Sequence, residues 1–235
     1  MNMFEDLNKL SIKRIGLAAG IGLLLMTILA IFAEFNILQQ LIIPADPETT
    51  INNLRENMSD FRLSIVMIFF IIILDVIVAW CLYLFLSPVN KALSLICAWF
   101  RLAYAVMFAA ALFHQFDVVY FIENPANLLI SDESLTREVM SSISAFRSSW
   151  DISLTIFGLH LILAGFLAVR SIFIPKWIGI LVMLSGFGYL IDGFGKIISP
   201  LYNIELVMFT FIGELIFMGW LIYRGVSKKE FSLSK

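Results

Sequence analysis

Asp75, Arg101, His160 and Glu214 each stand inside a long apolar run of this 235-residue chain. Their types can do chemistry: carboxyl groups and an imidazole give and take protons, and a guanidinium holds a fixed positive charge that can pair with an anion. A charge near the middle of a bilayer is costly and marks either a buried pairing network or a functional pathway. Counted from the basic or polar end of each run, Asp75 lies eleven residues from Leu86, Arg101 eleven from Asn90, His160 ten from Arg170 and Glu214 ten from Arg224. At 1.5 Å per residue all four sit roughly 15 to 17 Å from that end, mid-way through a hydrocarbon core about 30 Å thick. Opposite signs at one level are what pairing requires, so Asp75 is the natural partner of Arg101.

Residues at helical spacing extend the group. Around Arg101 one face carries Ser94, Cys97, Ala98, Tyr104 and Ala105, the small and polar composition of helix interfaces in membranes. Around Asp192 it carries Ser185, Gly188, Tyr189, Gly195 and Lys196, and an Asp192–Lys196 pair at i, i+4 is geometrically available. His160 shares its face with Ser153 and Ala164. Asp151, nine residues before His160, is half a turn out of phase and ranks lower, as does Lys196. The candidate ligand-binding or proton-handling residues are therefore Asp75, Arg101, His160, Tyr189, Asp192 and Glu214. Asp75 and Arg101 form the central pair, His160 and Glu214 are the proton or ligand groups, and Asp192 with Tyr189 is an outer gate or wall. Each has a plain structural counterpart: a static ion pair, a hydrogen-bonded core histidine, an interfacial carboxylate.

The elements that position these residues are membrane helices. The chain is 60% hydrophobic and 14% charged, with a mean hydropathy of +0.93, too apolar for the surface of a soluble domain. A net charge of -2 gives no basic surface for nucleic acid. Six runs are long enough to cross a bilayer, near residues 15–35, 61–86, 92–113, 150–169, 177–198 and 205–223. The expected fold is all-α, a single bundle of six transmembrane helices over residues 1–235 with no separate soluble domain. The first run is too long for a signal peptide and no small-residue cleavage site follows it. Lys9, Lys13, Arg14, Lys91, Arg170, Lys176, Arg224, Lys228, Lys229 and Lys235 collect on the side of both termini, which predicts that the termini are cytoplasmic.

Two outer loops carry short amphipathic helices by the same reading. In one, Asp46 caps, Pro47 opens the helix and Ile51, Leu54 and Met58 make a stripe; in the other, Ser131 or Asp132 caps and Leu135, Val139, Ile143 and Phe146 share a face that can run into the fourth span. Met3, Phe4, Leu7 and Leu10 predict a short interfacial helix before the first span. Gly179, Gly186 and Gly193 recur every seven residues, and Gly16 with Gly20 is a small-xxx-small pair. They read as close helix packing, within the chain or between copies in a homo-oligomer.

Signatures of enzymes are largely missing. There is no H-E-x-x-H, no nucleophile elbow and no phosphate-cradling loop, and two histidines on different helices, His114 and His160, offer no evident zinc site. No cofactor or metal is expected. Cys81 and Cys97 read as buried thiols rather than a disulfide.

The segments Arg14-Ile15-Gly16, Leu41 to Asp46, Leu84 to Lys91, Asp151 to Arg170, Ile174 to Gly195 and Gly213 to Gly225, in this order, resemble the bacterial membrane family called domain of unknown function 4386. The resemblance implies a prokaryotic, multi-pass protein of the cytoplasmic (inner) membrane and supplies no activity. It also singles out Asp151, His160, Tyr189 to Asp192 and Gly213 to Leu215. Three functions remain in play. The first is a polar mid-bilayer site that binds or moves a small or lipid-like ligand. The second is a structural or regulatory subunit whose ion pairs only hold helices together, and the third an intramembrane enzyme acting on a lipid.

Overall fold

The computed structural model describes residues 12–124, 131–199 and 201–227, and all regular structure among them is helical. Six helices are long and apolar enough to cross a membrane: α1 (Ile12–Leu41), α3 (Met58–Leu86), α4 (Lys91–Glu123), α5 (Asp132–Arg170), α6 (Lys176–Ile198) and α7 (Val207–Val226). The short α2 (Pro47–Glu56) joins α1 to α3. The chain is a multi-pass membrane protein. Isoleucine, phenylalanine and tryptophan side chains stand on the outside of every span, among them Ile28, Phe69, Trp99, Ile152, Ile180 and Phe209. Only lipid makes such a surface tolerable.

Helices α1, α4 and α5 outrun the spans expected from hydropathy because caps, not the edge of the apolar run, end a helix. Asp46 accepts from the Thr49 amide at 3.1 Å with Pro47 at the first position, so α2 starts where the sequence predicts, and Ile51 and Leu54 are buried. Asn90 caps α4 through the Leu93 amide at 2.9 Å. The amphipathic stretch after residue 131 is one helix with the fourth span, 39 residues in all, with Leu135, Val139, Ile143 and Phe146 buried. Within α1 the stretch Phe32–Leu38 is a π-helix. The expected interfacial helix at Met3 to Leu10 lies outside the described residues, as do Lys228, Lys229 and Lys235.

By internal packing the chain divides into two compact units, one of residues 1–24, 74–104 and 152–235, the other of residues 25–73 and 105–151. In the second unit, Phe108 stacks on Trp150 with centroids 5.6 Å apart, Arg62 pairs with Glu123 at 2.6 Å, and Arg147 approaches Glu34 of the π-helix at 3.9 Å.

The first unit holds the polar residues singled out above, and glycine sets its helix spacing. Helices α5 and α6 run antiparallel with Gly158 against Gly186 and Gly165 against Gly179, seven residues apart on both helices. A Cβ on Gly186 would stand 2.6 Å from the Gly158 carbonyl oxygen and 2.8 Å from the Ile162 amide; one on Gly165 would stand 2.5 Å from the Gly179 oxygen. Backbone meets backbone there, and no side chain can give way. Gly186→Ala and Gly165→Ala should each cost about 1–3 kcal/mol through overpacking. Gly219→Ala, whose added methyl meets nothing within 4 Å, is the neutral control. Unfolding of the detergent-solubilised protein checks this; equal stability of all three variants would refute the packing assignment.

Candidate functional site

Five helices of the first unit bring one polar group each to a common point: Asp75 from α3, Arg101 from α4, His160 from α5, Tyr189 from α6 and Glu214 from α7. Burial selects which face of each helix turns inward. Every residue on the small face of α4, Ser94, Cys97, Ala98, Tyr104 and Ala105, is buried, so Arg101 points to the interior with 2% of its side chain exposed. Asp75 is fully buried and places Oδ1 2.7 Å from Arg101 Nη2. The two side chains form a close, buried ion pair.

The other flank of Arg101 is an imidazole. His160 Nε2 lies 3.2 Å from Arg101 Nη1, and its Nδ1 lies 2.9 Å from the Cys97 carbonyl oxygen. A carbonyl only accepts, so the ring proton is assigned to Nδ1 and the Nε2 lone pair takes the guanidinium N–H. Each ring nitrogen then has one fitting partner, and the ring is neutral. Phe157, one turn before His160, lies under the guanidinium with its centroid 5.2 Å from Cζ. Tyr104 and Tyr189 close round that ring, with centroids 4.8 and 5.6 Å from it.

Glu214 completes the centre differently. It is half-buried, its carboxyl group receives the Tyr189 hydroxyl, and it lies within electrostatic reach of both Arg101 and Asp75. Its Oε1 is out of solvent contact and has no hydrogen-bond donor. Beside it is a cavity of about 20 Å³ whose polar lining is Arg101, His160 and Glu214. One guanidinium thus faces two carboxyl groups with a neutral histidine between helices, and electroneutrality in an apolar interior calls for one proton on the carboxyl pair.

The remaining candidates are placed elsewhere. Asp192 is buried and accepts three hydrogen bonds: from the Tyr202 hydroxyl at 2.7 Å, the Leu206 amide at 3.0 Å and the Val207 amide at 2.8 Å. It anchors the link between α6 and α7 and caps the start of α7. Lys196 is exposed one turn further along α6. Asp151 is half-buried and falls in the second unit. Cys81 and Cys97 are free thiols, and among the described residues no three His, Cys, Asp or Glu side chains are grouped to hold a metal ion.

Several partners were not named from sequence. Phe157 stands one helical turn from His160, so spacing alone could have found it. Tyr202 and the Leu206 and Val207 amides lie in a connection whose path no periodicity records.

Two outcomes test this geometry. Asp75→Asn removes the carboxylate in contact with a buried guanidinium and should destabilise the protein by roughly 3–5 kcal/mol, whereas the double replacement Asp75→Leu with Arg101→Met should recover most of that loss. A single replacement as stable as the wild type would mean that the pair is not formed. Separately, the Asp192 carboxylate accepts the Tyr202 proton and pushes its ionisation up to about 12. Asp192→Asn should return the Tyr202 phenol toward the ordinary value of about 10, read by ultraviolet titration against Tyr202→Phe. An unchanged titration would remove that hydrogen bond.

Comparison with known proteins adds family and no activity. A family profile described as domain of unknown function (DUF4386) matches residues 18–225. An uncharacterised protein of Archaeoglobus fulgidus is 37% identical over 167 residues, covering 71% of this chain and 86% of its own. No solved structure matches. With the matched segment running across all six spans, the chain belongs to the family of domain of unknown function 4386.

Proposed function

We propose that this membrane protein binds and passes a small polar species, in the first instance a proton, at the centre formed by Asp75, Arg101, His160 and Glu214. The observation that carries the reading is Glu214 Oε1, a carboxyl oxygen out of solvent contact, without a donor, beside a fixed guanidinium and at a cavity. A network built only to hold helices satisfies its buried polar atoms, and a half-satisfied one is costlier than an apolar core. Glu214 is the acid that takes and releases the proton, Tyr189 orients it, and Asp75 with His160 holds Arg101 in place. The lysine and arginine asymmetry supports cytoplasmic termini, and the archaeal relative agrees with a prokaryotic cytoplasmic membrane.

The second reading, a structural or regulatory subunit, draws on the closed contacts of Arg101 with Asp75 and His160, which tie α3, α4 and α5 together. A lipid-acting enzyme has less support, because a cavity of about 20 Å³ takes no lipid chain in this conformation.

Purified protein in liposomes loaded with a pH-sensitive dye separates the first two. Under an imposed proton gradient the wild type should acidify the lumen faster than protein-free liposomes. Glu214→Gln, which keeps the shape but carries no titratable proton, should fall to the protein-free rate. Equal rates for wild type and Glu214→Gln, with both folded, would leave only the structural reading.

A further inference from the structure

Resting on the proton reading of the same centre, the geometry points to a specific occupant of the cavity: we infer that it is a binding site for one water molecule, which donates a hydrogen bond to Glu214 Oε1.

Volume sets the first limit. A buried water needs about 10–15 Å³ of space and two to four polar partners. The cavity offers about 20 Å³ and three polar groups, Glu214, Arg101 and His160. An organic ligand of ordinary size needs roughly 300–1,000 Å³, more than tenfold the room available. Electrostatics sets the second limit. A metal or ammonium cation at this point would stand against the Arg101 guanidinium, and chloride or phosphate would stand against the Glu214 carboxyl oxygen. A neutral molecule that donates on one side and accepts on the other meets neither repulsion, and at this size that molecule is water.

The rest of the lining gives the water its place. Leu82, Val182 and Phe217 are among the apolar side chains that line the rest of the cavity, so the polar partners are Arg101, His160 and Glu214 alone. Glu214 Oε1 is an acceptor with no donor from the protein, and a water hydrogen supplies one. The carboxyl group is then held on both oxygens, by Tyr189 on one side and by water on the other. That arrangement gives the Glu214 proton a neighbour through which to exchange inside a wall of apolar side chains. Asp75, Arg101 and Tyr189 are the titratable or charged groups that act on Glu214 from the packed helices, His160 shares its cavity, and Tyr104 acts on Tyr189.

Infrared difference spectroscopy of the full chain in liposomes tests the inference, using water and oxygen-18 water as the only probes. The wild type should show an isotope-sensitive O–H stretching band from an internal water. Ala164→Val, which adds two methyl groups to the cavity wall, should abolish the band while Glu214 stays in place, and should slow the proton flux. A density map that resolves waters should show one peak within hydrogen-bond distance of Glu214 Oε1, and it decides the matter if Ala164→Val does not fold. Absence of the peak, absence of the band, or a band that survives in folded Ala164→Val overturns the water site. If that happens while Glu214→Gln still abolishes flux, the proton reading stands without water. If Glu214→Gln retains full flux, the proton reading itself fails, whatever the cavity holds.

Discussion

The charge on Arg101 is the constraint on which the first unit depends. A guanidinium keeps its charge at any accessible pH, so burying it obliges the surrounding helices to supply compensation rather than leaving the residue to neutralise itself. Asp75 gives the opposite charge, His160 gives a lone pair, and Phe157 gives the negative face of its ring. None of these is interchangeable along its helix: a shift of one residue on α3 or α5 turns Asp75 or His160 roughly 100° away. The backing of His160 by the Cys97 carbonyl closes the loop, because Cys97 is on the same helix as Arg101. The register of α3, α4 and α5 is thus specified by one charge. That specification is a reason to keep an ion pair that an apolar substitute would match in stability.

Two carboxylates on neighbouring helices differ in how far their hydrogen bonds are satisfied. Asp192 has three donors, two of them backbone amides at the start of α7, and every requirement of the group is met locally. Glu214 has the Tyr189 hydroxyl on one side and no protein donor for Oε1. The difference lies in how many fixed dipoles each meets, and a group that meets too few is the one left responsive to a proton or to water.

The sequence made the common level of Asp75, Arg101, His160 and Glu214 along their helices legible, because helix rise is constant and the ends of the apolar runs can be located. It made the inward face of α4 legible because small residues cluster there, and Ser94, Cys97, Ala98 and Ala105 are buried as that pattern requires. The run of the amphipathic stretch into the fourth span was legible too, and the two form one 39-residue helix, since both obey the same backbone period and nothing between them breaks it. The role of Asp192 was not legible at all. Its neighbour at i, i+4 suggested Lys196, but its donors come from a connection that turns back on α6, and a turn's path is not written in the spacing of either helix. The glycine heptad of α6 was legible as packing, while its partner, the matching Gly158 and Gly165 on α5, becomes evident only once the antiparallel pairing is known.

One contact in the centre resembles a catalytic pair, and its proton assignment argues against that use. Cys97 Sγ lies 3.2 Å from His160 Nδ1, the distance expected between a thiol nucleophile and its general base. A base needs a free lone pair directed at the thiol. Here Nδ1 carries the proton that goes to the Cys97 carbonyl, and the thiol itself turns toward the His160 carbonyl oxygen at 3.4 Å. The lone pair is on Nε2, facing Arg101. Reversing the tautomer would aim an imidazole N–H at a guanidinium N–H and leave the Cys97 carbonyl without that donor, two losses for no gain. The imidazole is therefore committed to holding Arg101, and on the proposed reading proton exchange rests with Glu214.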